Sequence, residues 1–180
     1  MKRREWELAF VANGTTLDSQ LVDPVDRAIG GWMLAEVTDT NGNVTTYVYQ
    51  VDQKATPVAD PGASVASGAG EDFRQLYLQS ILFTAHPVTG LLARYAVDFI
   101  PRQAGGVLAE RGDVIISGRT GFKVVTRQLL GSLRVRFGSE VIREYVLSYE
   151  PGDFGKSLLT RVDLFGMGGA TSGKKLSSQA

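Results

Sequence analysis

The sequence contains no cysteine. That absence excludes disulfides, thiolate nucleophiles and cysteine metal sites together. Histidine occurs once, as His86, so a histidine-rich metal centre is excluded as well. There is no excess of either charge: 19 basic residues face 19 acidic ones. A chain so balanced carries neither the basic footprint of a nucleic-acid binder nor a polybasic membrane patch or an acidic tail. No apolar run approaches the roughly 20 residues needed to cross a bilayer. No signal peptide is visible. Met1-Lys2-Arg3-Arg4 is a basic start, but Glu5-Trp6-Glu7 interrupts the apolar stretch that should follow. The chain reads as soluble, and export would require another route or a longer polypeptide.

What the sequence has is glycine and short apolar runs. Its 21 glycines fall largely between apolar stretches, in a chain that is 43% hydrophobic. That combination favours many turns over long helices. No segment shows a helical stripe; only Asp72–Gln79 admits a helical turn. Trp6–Val11 reads as a short strand, closed by Asn13-Gly14. Trp32–Thr38 and Asn43–Val51 read as a hairpin around Asn41-Gly42, because Asn-Gly reaches positive φ easily. In the return run Val44, Thr46 and Val48 share one face, and Thr45, Tyr47 and Tyr49 the other. Leu76–Phe83 and Leu91–Ile100 form a second hairpin around His86–Gly90, ended by Pro101. Val114–Ile116 is a further short strand. Phe122–Phe137 is a long run with a bend or bulge at Gly131. Val141–Tyr149 and Ser157–Phe165 follow, with Pro151-Gly152-Asp153 between them.

Three phrases in order resemble a known family. The first is Trp32-x-Leu34-x-x-Val37-x-Asp39-x-Asn41-Gly42-Asn43, ending in Tyr47-x-Tyr49. The second is Tyr77-Leu78-x-x-Ile81, followed by Val97-x-Phe99. The third is Val141-x-Arg143-x-Tyr145-x-Leu147-x-Tyr149, then Ser157-Leu158-Leu159-Thr160-Arg161-Val162. Together, across Gly31 to Val162, they resemble the β-rich region of SpvB-like and insecticidal toxin-complex B-component proteins, and more loosely Rhs/YD repeats. The resemblance implies a segment of a much larger bacterial protein whose hairpins wind into a hollow β-shell around a toxic domain. It also implies partners: the rest of that polypeptide or its complex subunits. It implies a secreted or cell-surface location. The family's aspartyl self-cleavage motif is missing, and Asp60-Pro61-Gly62 is only a chance echo of it. No Glu-x-Glu toxin motif appears.

The motifs that could carry chemistry have plainer readings. Gly155-Lys156-Ser157 echoes a phosphate loop, but the glycine expected five positions before Gly155 is Glu150, and a strand follows rather than a helix. Asp39, Asn41 and Asn43 echo the start of a calcium loop, but the later ligands are missing and a hairpin turn accounts for all three. Arg111-Gly112-Asp113 spells an adhesion tripeptide, yet Gly-Asp is ordinary turn chemistry. His86 precedes Pro87 in a turn, without the context of a nucleophile relay. Arg134, Arg136 and Arg143, with Glu140, Glu144 and Glu150, read as cross-strand charge pairs on a solvated face. Tyr47, Tyr49, Tyr145 and Tyr149 would form a contact surface if exposed.

The expectation is therefore an all-β, antiparallel hairpin meander forming a sandwich or an open-barrel or shell segment. Residues 1–167 form one domain, with a mobile loop at 54–72 and a disordered tail at 168–180. No catalytic, cofactor or metal residue is assigned, no enzymatic activity is expected, and the partner of the last strand, Ser157–Phe165, is expected to be further β-structure or a second copy. The alternative is a self-contained β-sandwich binding carbohydrate or protein.

Overall fold

The computed structural model describes residues 7–9, 19–54 and 72–179. The expected loop at 54–72 lies outside the described residues except at its two ends, and so does the Asn13-Gly14 turn. The strands are β1 (Glu7–Ala9), β2 (Gln20–Val22), β3 (Ile29–Trp32), β4 (Glu36–Thr38), β5 (Val44–Lys54), β6 (Phe73–Ala85), β7 (Tyr95–Pro101), β8 (Gln103–Ala104), β9 (Val107–Leu108), β10 (Glu110–Ser117), β11 (Val124–Gln128), β12 (Leu130–Phe137), β13 (Glu140–Pro151), β14 (Ser157–Phe165) and β15 (Lys175–Gln179). One four-residue helix, α1 (Gly169–Ser172), precedes β15. Nine strands form one antiparallel sheet in the order β1-β4-β5-β6-β7-β12-β13-β14-β15. The sheet is open, with β1 and β15 at its edges. The fold class expected from the sequence is thus observed: an all-β meander, unclosed.

Two excursions interrupt the meander. The β2–β3 pair lies between β1 and β4, and the β8–β9 and β10–β11 pairs lie between β7 and β12. Both excursions return to the same end of the sheet, where Leu21, Leu76, Phe122 and Val124 form the buried core against Met33, Tyr49 and Val51. The fit there is close: a Cβ at Gly30 would meet the Phe122 ring at 2.6 Å.

The hairpins follow from their turn chemistry. At β4–β5, Asp39 Oδ1 accepts the N–H groups of Asn41 and Asn43, at 2.8 and 2.9 Å. Gly42 takes the left-handed backbone this turn needs, φ 84°. The expected partner strand is shorter than the sequence suggested. Only Glu36–Thr38 pairs with β5, while Trp32 belongs to β3 and pairs with Gln20. Phe73–Ala85 is strand throughout, so the helical turn admitted at Asp72–Gln79 does not form; pairing with β5 down to Lys54 holds those residues extended. Gly131 is a bulge, as expected: the β12–β7 register shifts between Leu130 and Ser132. A Cβ there would lie 2.8 Å from the Arg102 Cα.

The tail departs from expectation. Residues 169–172 are helical and 175–179 are a strand paired with Val162–Phe165. Composition alone hides this, because the segment is held by polar contacts to Glu144 and Asp163 rather than by apolar burial. It also gives Ser157–Phe165 a pairing partner within its own chain.

Candidate functional site

The register sorts the centre of the sheet into two unlike faces, since directly opposed residues share a face. On one face Ser80 opposes Asp98, Asp98 opposes Arg134, and Arg134 opposes Glu144. They form a ladder across the strands that is bonded in two groups. Ser80 Oγ donates to Asp98 at 2.6 Å, Arg136 Nε donates to Asp98 at 2.6 Å, and Arg134 Nε donates to Glu144 at 2.8 Å. Burial would raise the Asp98 carboxyl, but the bonds from Arg136 and Ser80 outweigh it and hold it below the usual range. At Glu144 burial also raises the carboxyl, and the Ala170 N–H and Arg134 outweigh it. Glu144 is 2% exposed and Asp163 7%, so this face is not simply solvated. Arg136 pairs with Asp98 rather than with a glutamate, and Arg143 opposes Val135 on the other face. The expected Arg–Glu pairing holds for Arg134 and Glu144 alone of that group, among the described residues.

The other face is apolar except for the exposed Arg143 beside Val135. Its rows are Phe83–Tyr95–Phe137, then Ile81–Val97–Val135, then Phe99–Leu133–Tyr145–Leu164. The first row is an aromatic stack, with ring centroids 5.6 and 4.9 Å apart. None of these side chains is buried, and Tyr95 and Phe137 are each 38% exposed. The polar face thus buries Ser132, Glu144 and Asp163, while the apolar face stays half open. Of the tyrosines expected to form a contact surface, Tyr47 opposes Ile81 and Tyr145 opposes Leu164 on this face. Tyr49 instead packs on the core and donates from its hydroxyl to the Leu34 carbonyl at 2.9 Å. A cavity of about 210 Å³, to which Tyr77, Phe99 and Leu129 contribute, opens beside the excursion.

The remaining motifs are occupied structurally. Arg111 Nε and Nη2 donate to the two Asp113 oxygens, both at 2.9 Å. The tripeptide therefore closes on itself, with side chains 14% and 8% exposed. The Arg111 bond holds the Asp113 carboxyl far below its ordinary range, and Ser157 Oγ adds a second bond at 2.5 Å. Gly152–Lys156 is a tight turn and Ser157 opens β14, so no helix follows the glycine-lysine-serine run. The His86 ring bridges two hairpin tips: Nε2 donates to the Asn41 carbonyl at 3.0 Å, and Nδ1 accepts from the Thr89 N–H at 3.3 Å. Among the described residues no group of acids and histidines is placed to hold a metal ion, and no helix is long and apolar enough to cross a membrane.

One cluster has no sequence signal. Asp52 on β5 receives both Arg127 Nε and Nη2, at 2.9 and 2.6 Å, and Gln128 Nε2 at 3.2 Å. Arg127 reaches on to Glu110 at 2.7 Å and lies over the Phe73 ring. Tyr77 Oη accepts the backbone N–H groups of Arg127 and Gln128. These contacts lock the excursion to the sheet.

No protein-family model and no curated protein matches the sequence. Solved structures do match it. The TcdB2-TccC3-Cdc42 crystal structure aligns over 92% of this chain at a TM-score of 0.65 and 14% identity. The Photorhabdus luminescens Tc holotoxin pore aligns over 84% at 0.61 and 15% identity. The N-terminal domain of effector protein SpvB from Salmonella typhimurium strain LT2 aligns over 84% at 0.61 and 14% identity. The chain spans 9% of the first of these chains, 8% of the second and 56% of the third. The resemblance read from the three phrases is met in the fold: this chain has the fold of a strand-rich segment that toxin-complex proteins and the SpvB N-terminal domain share.

Proposed function

We propose that this chain is a non-catalytic structural segment of a bacterial toxin-delivery or Rhs-type β-shell that encloses or presents a toxic effector. The observation that supports it is the half-open apolar face of an unclosed sheet, in a fold that occurs elsewhere as a small part of far longer toxin-complex chains. An apolar face this wide is unfavourable in water and belongs against other protein. In this reading the ladder of Asp98, Arg134 and Glu144 faces outward and the aromatic row of Phe83, Tyr95 and Phe137 faces the interior. The partners are the remainder of the larger polypeptide or its complex subunits, and the location is secreted or at the bacterial cell surface.

The purified chain tests this. Expressed alone, it should bind an apolar dye and self-associate in light scattering, and both should be suppressed when flanking β-rich sequence is restored. A monodisperse monomer that binds no dye would overturn the shell reading and favour a self-contained binding domain. The cavity beside Tyr77 and Phe99 is the feature that second reading would use. A broad hydrolase screen, with His86→Ala as control, should show no turnover; activity lost in that variant would refute the non-catalytic assignment.

A further inference from the structure

We infer that β14 is a strand-exchange site whose occupant in trans is β15 of a second copy of this chain. The inference does not depend on the shell reading. All five residues of β15 are exposed, and its one apolar side chain, Leu176, is 56% exposed. Burial of apolar surface therefore contributes little to holding this strand. What holds it is the edge of β14, opposite Val162–Phe165, and one carboxylate. Lys175 Nζ lies 2.9 Å from Asp163 Oδ1, and Ser178 Oγ donates to the same oxygen at 2.6 Å. These contacts are made to β14 itself, so a β15 from another copy makes them unchanged. Any other strand would have to bring a cation and a hydroxyl at that spacing.

The link between the two strands is the part that exchange would alter. It folds back through Gly168 at φ 87° and Gly169 at φ 62°. A Cβ at Gly169 would lie 2.5 Å from Glu144 Oε2, and one at Gly173 would lie 2.5 Å from the Gly169 carbonyl oxygen. The return in cis thus needs a crowded glycine turn. Straightening it gives up two bonds to β13, Gly168 N–H to the Val141 carbonyl at 2.9 Å and Ala170 N–H to Glu144 at 2.7 Å. A crowded hinge joined to an edge strand with few contacts of its own is the setting in which identical elements exchange between copies.

The absence of cysteine makes the test clean. Val162 and Gln179 oppose each other in the β14–β15 register. The 180-residue chain carrying Val162→Cys and the same chain carrying Gln179→Cys would be mixed at high concentration, opened briefly in mild denaturant, returned to buffer and oxidised. Exchange predicts a disulfide-linked dimer holding one copy of each variant, several-fold above what either gives alone. Adding Gly168→Ala to both, which strains the return in cis, should raise that yield. The inference fails if the mixture gives no more than the separate variants while the double variant Val162→Cys/Gln179→Cys closes within one chain. It fails equally if the double variant does not close, because β15 would then not occupy β14 at all.

Discussion

Asp52 is 7% exposed and is met by one edge of the Arg127 guanidinium, through Nε and Nη2. Removing one partner of such a pair strands the other charge. Asp52→Ala should cost about 2–3 kcal/mol, below the value for a fully buried pair because Arg127 remains partly in water; denaturant unfolding reads it. Gly42→Val should cost about 1 kcal/mol or more, since a β-branched residue resists positive φ. The His86 ring adds to that, lying 3.3 Å from where the new Cβ would stand. The carboxyls of Asp98 and Glu144 sit below their ordinary range in the folded chain. Unfolded, such groups titrate near about 3.9 and about 4.3. Their contribution is therefore complete above those values and is lost as pH falls through the lower folded values. The melting temperature should drop below about pH 4, and Asp98→Asn or Glu144→Gln should flatten that acid limb.

At the scale of elements, the bulge at Gly131 offers a sharper test than any turn. The atoms a Cβ would meet are backbone, the Arg102 Cα and N and the Pro101 carbonyl oxygen, and cannot swing aside. Gly131→Ala should cost about 1–3 kcal/mol as overpacking, with near-unchanged stability at the unhindered Gly112 as the control. The strands themselves were largely legible. Ser157–Phe165 is β14 with the bounds that alternation gives, and Gly131, where alternation predicts a bend or bulge, is a bulge. Alternation is a local signal, so it finds strands and their faces wherever the turn chemistry is strong. It does not say which strand lies beside which. The run Phe122–Phe137 looked continuous, yet its halves join different sheets, β11 beside β10 and β12 beside β7. The Asp52–Arg127 lock was invisible for the same reason, because its partners meet only through that excursion. The order of the tail is hidden in the sequence because two carboxylates on other strands, Glu144 and Asp163, hold it.

The whole molecule has its polarity arranged unusually for a lone domain: the charged face of the sheet buries Ser132, Glu144 and Asp163, while the apolar face stays half open. Substitutions on the two faces should therefore behave oppositely. Val135→Thr or Leu133→Thr should leave stability within about 1 kcal/mol of the parent, since these residues are only partly buried, and should reduce dye binding and self-association of the isolated chain. Ser132→Val, on the buried polar face beside Glu144, should destabilise the fold without changing association. Equal effects from both sets would mean that the apolar face is an internal core and not a docking face.

The long detour between β7 and β12 has a kinetic consequence. The strands β4 to β7 form one run of neighbouring hairpins, and β12 to β15 form another. Within these runs the connections are short except between β5 and β6, which are joined through residues 55–72. Joining them requires β7 to find β12 across residues 102–129, a loop whose closure entropy is spent before any contact between the runs rewards it. The two meanders should therefore form first and dock late, with the seam at Val97–Val135 as the last central pairing to gain protection in pulse-labelled hydrogen exchange. During synthesis the β4–β7 run would stand complete, with an unpaired β7 edge, until β12 is made.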